Sequence, residues 1–223
     1  MSASPAPATS SLNPANEQDA EILSLLKDSA EDFCKRSLDV GRLRALREQG
    51  ASFDRQQWLT IAELGWLGVA ISEEAGGLGL GVRGAATISR EFGKVAAPEP
   101  LIETAVAAAT LIARVDEKNE LLGTLVDGSN VCVAALGDID SDIYAVVTAS
   151  EEEIGVSLRG AIDAVPFGPD ADTWLVPATL AGKPAWFAVG RDADGVEVVP
   201  RPLCDESVDA RLIFSGCPAS LLA

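Results

Sequence analysis

The sequence predicts an α+β protein: an all-helical N-terminal domain followed by an antiparallel β-barrel or β-sandwich domain. Three observations carry this expectation. Apolar residues recur at spacings of three and four through the first half of the chain. From Asn130 onward the chain breaks into short β-rich runs punctuated by Gly128, Gly168, Gly182, Gly190 and Gly195. Helices and strands do not alternate, which argues against a doubly wound parallel sheet. The expected division is a flexible tail over 1–15, a helical domain over 16–128 and a β-domain over 129–223.

The Ser-, Pro- and Ala-rich tail has little to bury. Ile22, Leu26, Ala30 and Phe33 then share one helix face. A sharper start lies at Asp54, an N-cap residue followed three positions on by Gln57, as in a capping box. Phe53 and Trp58 are placed to close a hydrophobic staple. That helix continues through Ile61 and Leu64 and stops near Gly65. Further helices are expected over 82–95, 99–113 and 117–125. Asp116 and Glu117 are read as the start of the last one, where negative charge suits the helix dipole. Seven strand runs follow: NVCVAAL, IYAVVTA, EIGVSLR, TWLVPAT, AWFAVG, GVEVVP and ARLIF.

Composition excludes several function classes. The 223 residues hold 34 Asp+Glu against 17 Lys+Arg, a formal charge of −17, and no histidine. A Ser/His/Asp or Cys/His triad, a histidine base and nearly all catalytic zinc or non-haem iron sites are thereby removed. So acidic a chain repels the phosphates of nucleic acid and anionic membrane. Cys34, Cys132, Cys204 and Cys217 lack metal-type spacing and read as reduced, mostly buried thiols. The N-terminus has no basic start or apolar core, and no run approaches the ~18 apolar residues of a membrane helix. A soluble cytoplasmic protein is expected, with no metal ligands. Acid clusters at 138–142 and 151–153 read as solvated turns, and the four tryptophans as core residues.

Gly79, Gly81 and Gly84 fit the spacing of a dinucleotide fingerprint. That motif needs a strand before the first glycine and a βαβ unit around it. Here a helix end and a loop precede it, so the match is rejected. The same stretch, ELGWLGVAISEEAGGLGLG, then a helix ending REFGK and a proline-flanked AAPEPLIE, resembles the N-terminal domain of acyl-CoA dehydrogenases. Glu63, Leu64 and Gly65, then Glu73, Glu74, Gly76 and Gly77, then Glu91, Phe92 and Gly93 follow the family's order. The change to short strands near residue 130 resembles the passage into the family's middle β-domain. The last run, ARLIFSGCPASLLA, resembles that domain's end, a strand leading into a proline-containing exit loop. The alanine-rich 105–113 segment corresponds to a helix bordering the family's acyl-chain slot, though its small side chains serve close packing equally well.

The resemblance implies an FAD-dependent α,β-desaturation of an acyl-CoA thioester, as in fatty acid or steroid side-chain degradation. It also implies a third, helical domain that supplies the catalytic glutamate, and the resemblance stops short of that domain. No catalytic residue is assigned here. The family's cofactor-binding positions fall on Ala134, Ala135 and Leu136, where Thr-Glu-Pro is the family pattern. Ser141, within Asp140-Ser141-Asp142, stands for Gly-Ser-Asp. Gly160 and Ile162 lie at the Gly-x-Lys positions. Ala164, Val165 and Pro166 replace aromatic-Ile-Thr. These positions have mostly lost their hydrogen-bonding groups, and Pro166 has neither hydroxyl nor N–H. The resemblance is to the degenerate subunit of heteromeric members, so the implied partner is a second acyl-CoA dehydrogenase-like subunit. FAD would be held only with that partner or not at all. A truncated inactive remnant and an acidic scaffold that contacts a flavoprotein are the alternatives.

Overall fold

The computed structural model describes residues 17–137, 142–153 and 155–222. The expected 1–15 tail and Ser141 lie outside the described residues. Helix α1 (Glu17–Ser37) packs against α4 (Gly81–Lys94) through Leu26, Ala30 and Phe33. The Phe33 ring meets Trp66 edge-on at 5.3 Å and stacks on Phe92 at 6.2 Å. Ile22 does not belong to this face. It is 37% exposed, and Leu23 packs on the core in its place.

Helix α2 (Val40–Glu48) has no counterpart among the expected elements. Asp39 caps it, accepting from Arg42 N at 2.7 Å. Helix α3 (Arg55–Glu63) starts where the sequence places it, with Asp54 accepting from Gln56 N at 2.8 Å. Phe53 and Trp58 close the staple at 6.0 Å between ring centroids. Gln57 does not complete the capping box: its Oε1 is buried with no partner. Gly65, at φ 74°, takes the left-handed turn that ends the helix.

After α4, Pro98 and Pro100 hold the chain out of helix, and helical backbone begins only at Leu101. Residues Ile102–Ala108 form a π-helical turn that runs into α5 (Ala109–Val115). Asp116 is extended (φ −155°) and follows α5, so Asp116 and Glu117 do not open a helix. Asn119 caps α6 (Glu120–Val126) instead, its Oδ1 accepting from Leu121 N at 3.0 Å. Ala108, Ala109 and Ile112 are fully buried in one cluster with Cys132 of the first strand and Leu175 of the fourth. The alanine-rich segment therefore lets a helix approach a strand closely.

The seven strands are β1 (Cys132–Ala134), β2 (Val147–Glu151), β3 (Val156–Pro166), β4 (Thr173–Leu180), β5 (Lys183–Gly190), β6 (Val196–Pro202) and β7 (Val208–Leu221). Pairing runs β4–β2–β3–β7–β5 and returns to β4, so five strands close on themselves as a barrel. β1 shares an edge of β4 with β2, and β6 shares an edge of β7 with β5. The fold class is as expected, with one refinement: β1 and β2 run parallel to β4, while the other pairs are antiparallel. The exit loop expected at Pro218 is strand. Pro218 pairs with Ser157 beside a bulge at Gly216 (φ 77°), where a missing N–H is tolerated.

Helices and barrel are tied by Arg55. Its Nη1 lies 2.6 Å from Asp172 Oδ2, and its Nη2 donates to Asp172 Oδ1 at 3.0 Å and to Asp170 O at 2.5 Å. Asp172 Oδ2 also accepts from Val131 N at 2.8 Å, which fixes the start of β1. Cys34, Cys132 and Cys217 are buried free thiols and Cys204 is exposed. Trp58, Trp66 and Trp174 are core residues; Trp186 is half-buried and donates to Tyr144 Oη at 3.0 Å.

Candidate functional site: two cavities around Phe167

The segment 164–167 sits where β3 loses register with β7. Ile162 pairs with Leu212 and Val165 with Ala210, so Asp163 and Ala164 together face one residue of β7. The bulge is sharp: Ala164 and Phe167 both adopt positive φ, 56° and 52°. Such angles are held only where the surroundings fix them. Here the Phe167 ring packs on Phe53 at 6.3 Å, and Phe167 O accepts from both Asp170 N and Ala171 N. Gly168 follows because a Cβ there would come within 2.6 Å of Ala210 Cβ.

Phe167 is shared by two cavities, together with Ala97 and Pro98. The first, about 230 Å³, lies against Phe92, Leu101, Glu99 and Glu103. The second, about 470 Å³, lies against Leu43, Arg47, Pro166, Leu203 and Asp209. Glu99 borders the first. Its side chain is fully buried and ion-paired to Arg42, while Oε2 has no partner. Burial pushes its carboxyl above the ordinary value and outweighs the opposing pull of Arg42. Burial also pushes the half-buried Glu103 carboxyl up. Cys34 is pushed up to about 11, by burial and then by the charges of Glu91 and Glu99.

The sequence-predicted cofactor positions are distributed over separate strands. Ala134 ends β1, half-buried, and Ala135 is fully buried; Leu136 is 46% exposed. Val165 is fully buried, and Pro166 is exposed opposite Asp209. Backbone donors at the first group are already engaged: Ala135 N donates to Leu175 O at 2.9 Å and Leu136 N to Ala134 O at 3.0 Å. The side chains of Ala134, Ala135, Leu136, Val165 and Pro166 hold no donor. These described positions therefore offer no side-chain donor, and no free N–H at Ala135 or Leu136, to an isoalloxazine or a pyrophosphate.

Glu99, Glu103, Arg42 and Phe167 were not singled out by the sequence. Glu99 and Arg42 are 57 positions apart, and no local spacing announces their pairing. Gly81 opens α4 directly after the turn-rich segment 69–79. Gly84 is required by packing, since a Cβ there would lie 2.5 Å from Leu80 Cβ. Among the described residues no acid and thiol group is arranged to hold a metal, and no helix is long and apolar enough to cross a membrane.

The family model for the acyl-CoA dehydrogenase N-terminal domain matches residues 21–129. Acyl-CoA dehydrogenase FadE27 of Mycobacterium tuberculosis is 31% identical over 159 residues, which cover 70% of this chain and 42% of that protein. Among solved structures, a variant of the Tcur3481–Tcur3483 steroid ACAD superposes with a TM-score of 0.81 at 32% identity, covering 91% of this chain and 57% of that one. The ChsE4–ChsE5 complex from Mycobacterium tuberculosis gives 0.77 at 26% identity, with 92% and 55% covered. The chain spans less than half the length of the curated relatives it matches.

Proposed function

We propose, from the premise that this chain belongs to the acyl-CoA dehydrogenase family, that it is the flavin-free member of a heteromeric acyl-CoA dehydrogenase. A second acyl-CoA dehydrogenase-like subunit carries FAD and the catalytic glutamate, and the complex desaturates an acyl-CoA thioester between its α and β carbons. The observation that carries this reading is the state of the family's flavin positions. Ala134, Ala135, Leu136, Val165 and Pro166 lack donor side chains, and the Ala135 and Leu136 N–H groups are bonded within the fold. Two similar solved structures, the Tcur3481–Tcur3483 steroid ACAD and the ChsE4–ChsE5 complex, are each named for a pair of subunits. They support a paired arrangement here and a steroid-type acyl chain as the substrate to try first.

The test is co-purification. The chain expressed alone is expected to fold without flavin absorbance. Expressed with a flavin-competent dehydrogenase subunit from the same genome, it is expected to co-elute stoichiometrically and to support acyl-CoA oxidation. Stoichiometric FAD on the chain alone, or a stable monomer that joins no such subunit, overturns the reading.

A further inference from the structure

Among the described residues β6 pairs with β7 alone, so its other edge is open. Two hydrogen bonds fix which backbone groups point that way. Ser215 N donates to Gly195 O at 2.8 Å just before the strand, and Leu203 N donates to Ser207 O at 2.9 Å just after it. Both fall in the register that sets Val196 opposite Phe214 and Pro202 opposite Val208. Bonded and non-bonded positions alternate along an antiparallel ladder, so the backbone groups of residues 197, 199 and 201 turn toward β7. Those of residues 196, 198, 200 and 202 turn to the open edge. Pro200 and Pro202 have no N–H, and Val196 N bonds Ala193 O at 3.4 Å. Val198 N–H is the donor left along that edge.

An open edge is a template for another strand, and this one suits a copy of itself. Two β6 strands laid antiparallel about Val199 set Val199 against Val199 and Glu197 against Arg201 on both sides. Val199 is 36% exposed, Glu197 is exposed, and Arg201 keeps 42% of its side chain exposed while bonded to Asp209. Opposite charges directly across two strands attract. The prolines oppose this pairing, because each ring carries a carbon where an N–H would reach the incoming carbonyl. We propose that β6 is the surface on which two copies of this chain are matched to pair, and that Pro200 and Pro202 hold it closed. The proposal stands on strand register and not on the subunit reading. It is tested on the chain without a partner, so its failure leaves the co-purification result untouched.

The test compares the full chain with its Pro200→Thr/Pro202→Thr variant, by sedimentation and by amide exchange at Val198. In the unaltered chain Val198 N–H is expected to exchange as an open backbone amide at every protein concentration. The double variant should self-associate at least about tenfold more tightly, through the ladder bonds it regains, and its Val198 exchange should slow as concentration rises. Adding Glu197→Lys sets like charges opposite Arg201 and should weaken that association severalfold. Pro200→Thr alone should give a smaller change in the same direction, with an unchanged melt. Self-association of the double variant no tighter than that of the unaltered chain overturns the proposal. So does a protected Val198 amide in the unaltered chain, or association that leaves Val198 exchange unchanged. Unfolding of both the single and the double variant overturns it as well, since the prolines are then needed by the strand itself.

Discussion

Replacing Arg42 with Met tests how the buried carboxylate of Glu99 is held. The Glu99 side chain has no exposure and Arg42 only 17%, so the variant strands a charge away from water. Breaking a buried pair from one side costs about 3–5 kcal/mol. Partial access of water at Arg42 places the expected loss near the lower end, about 3 kcal/mol. For a chain of this size that is a fall in Tm of about 6–12 °C. The loss must also depend on pH. Glu99 already titrates above its ordinary value of 4.5, and removing the guanidinium raises it further. A carboxyl raised in the folded state holds its proton more tightly there than in the unfolded chain. Stability is then greatest below the unfolded value and declines as pH rises through the folded one. Urea denaturation at pH 4.5 and pH 8, followed by tryptophan fluorescence, should show the full deficit at pH 8 and a smaller one at pH 4.5. Adding Glu99→Gln should restore part of the loss at pH 8. A deficit equal at both pH values, or below about 1 kcal/mol at pH 8, refutes the reasoning.

Gly77→Ala should cost about 3 kcal/mol or more in urea, because its Cβ would lie 2.4 Å from Gly68 O and 2.5 Å from Ile71 O. Gly76→Ala next to it meets nothing within 4 Å and should lose only about 1–2 kcal/mol, from its positive φ. A thiol reagent should modify Cys204 alone in the native chain and all four cysteines after unfolding, since the other three are buried. Asp172→Ala leaves Val131 N–H without its acceptor and frees Arg55, and should lower stability by about 1–3 kcal/mol in the same titration.

Much of the fold could be read from local pattern. The Asp54 cap, the Phe53–Trp58 staple and the Gly65 stop are short-range signals, and the structure forms each one. Each of the seven expected runs contains a strand, because turn residues separate them. What escaped depends on contacts far along the chain. The GRLRALRE stretch of α2 shows no clear apolar stripe, and its cap at Asp39 resembles any loop aspartate. The parallel pairing of Cys132 with Thr173 joins residues that no period connects. A π-helical turn over Ile102–Ala108 differs from an α-helix by one residue per turn, which composition does not encode. The same holds for the cavities. The glutamate between Pro98 and Pro100 reads only as the first residue of the expected 99–113 helix until Arg42 and Phe92 are folded near it.

The place of β7 in the barrel bears on when this chain can fold during its own synthesis. β7 is the strand that β3, β5 and β6 all pair with, and it is the last to be made. Val156 must wait for Ala219, about 60 residues later, so the pairing is strongly non-local. At ribosomal rates of about 5–20 residues per second, the finished β3 spends about 3–11 s with that edge open. Open edges of this kind recruit other strands. The helical half is complete before any of this begins, so a chaperone acting on the nascent chain has its work in the interval before residues 208–221 emerge.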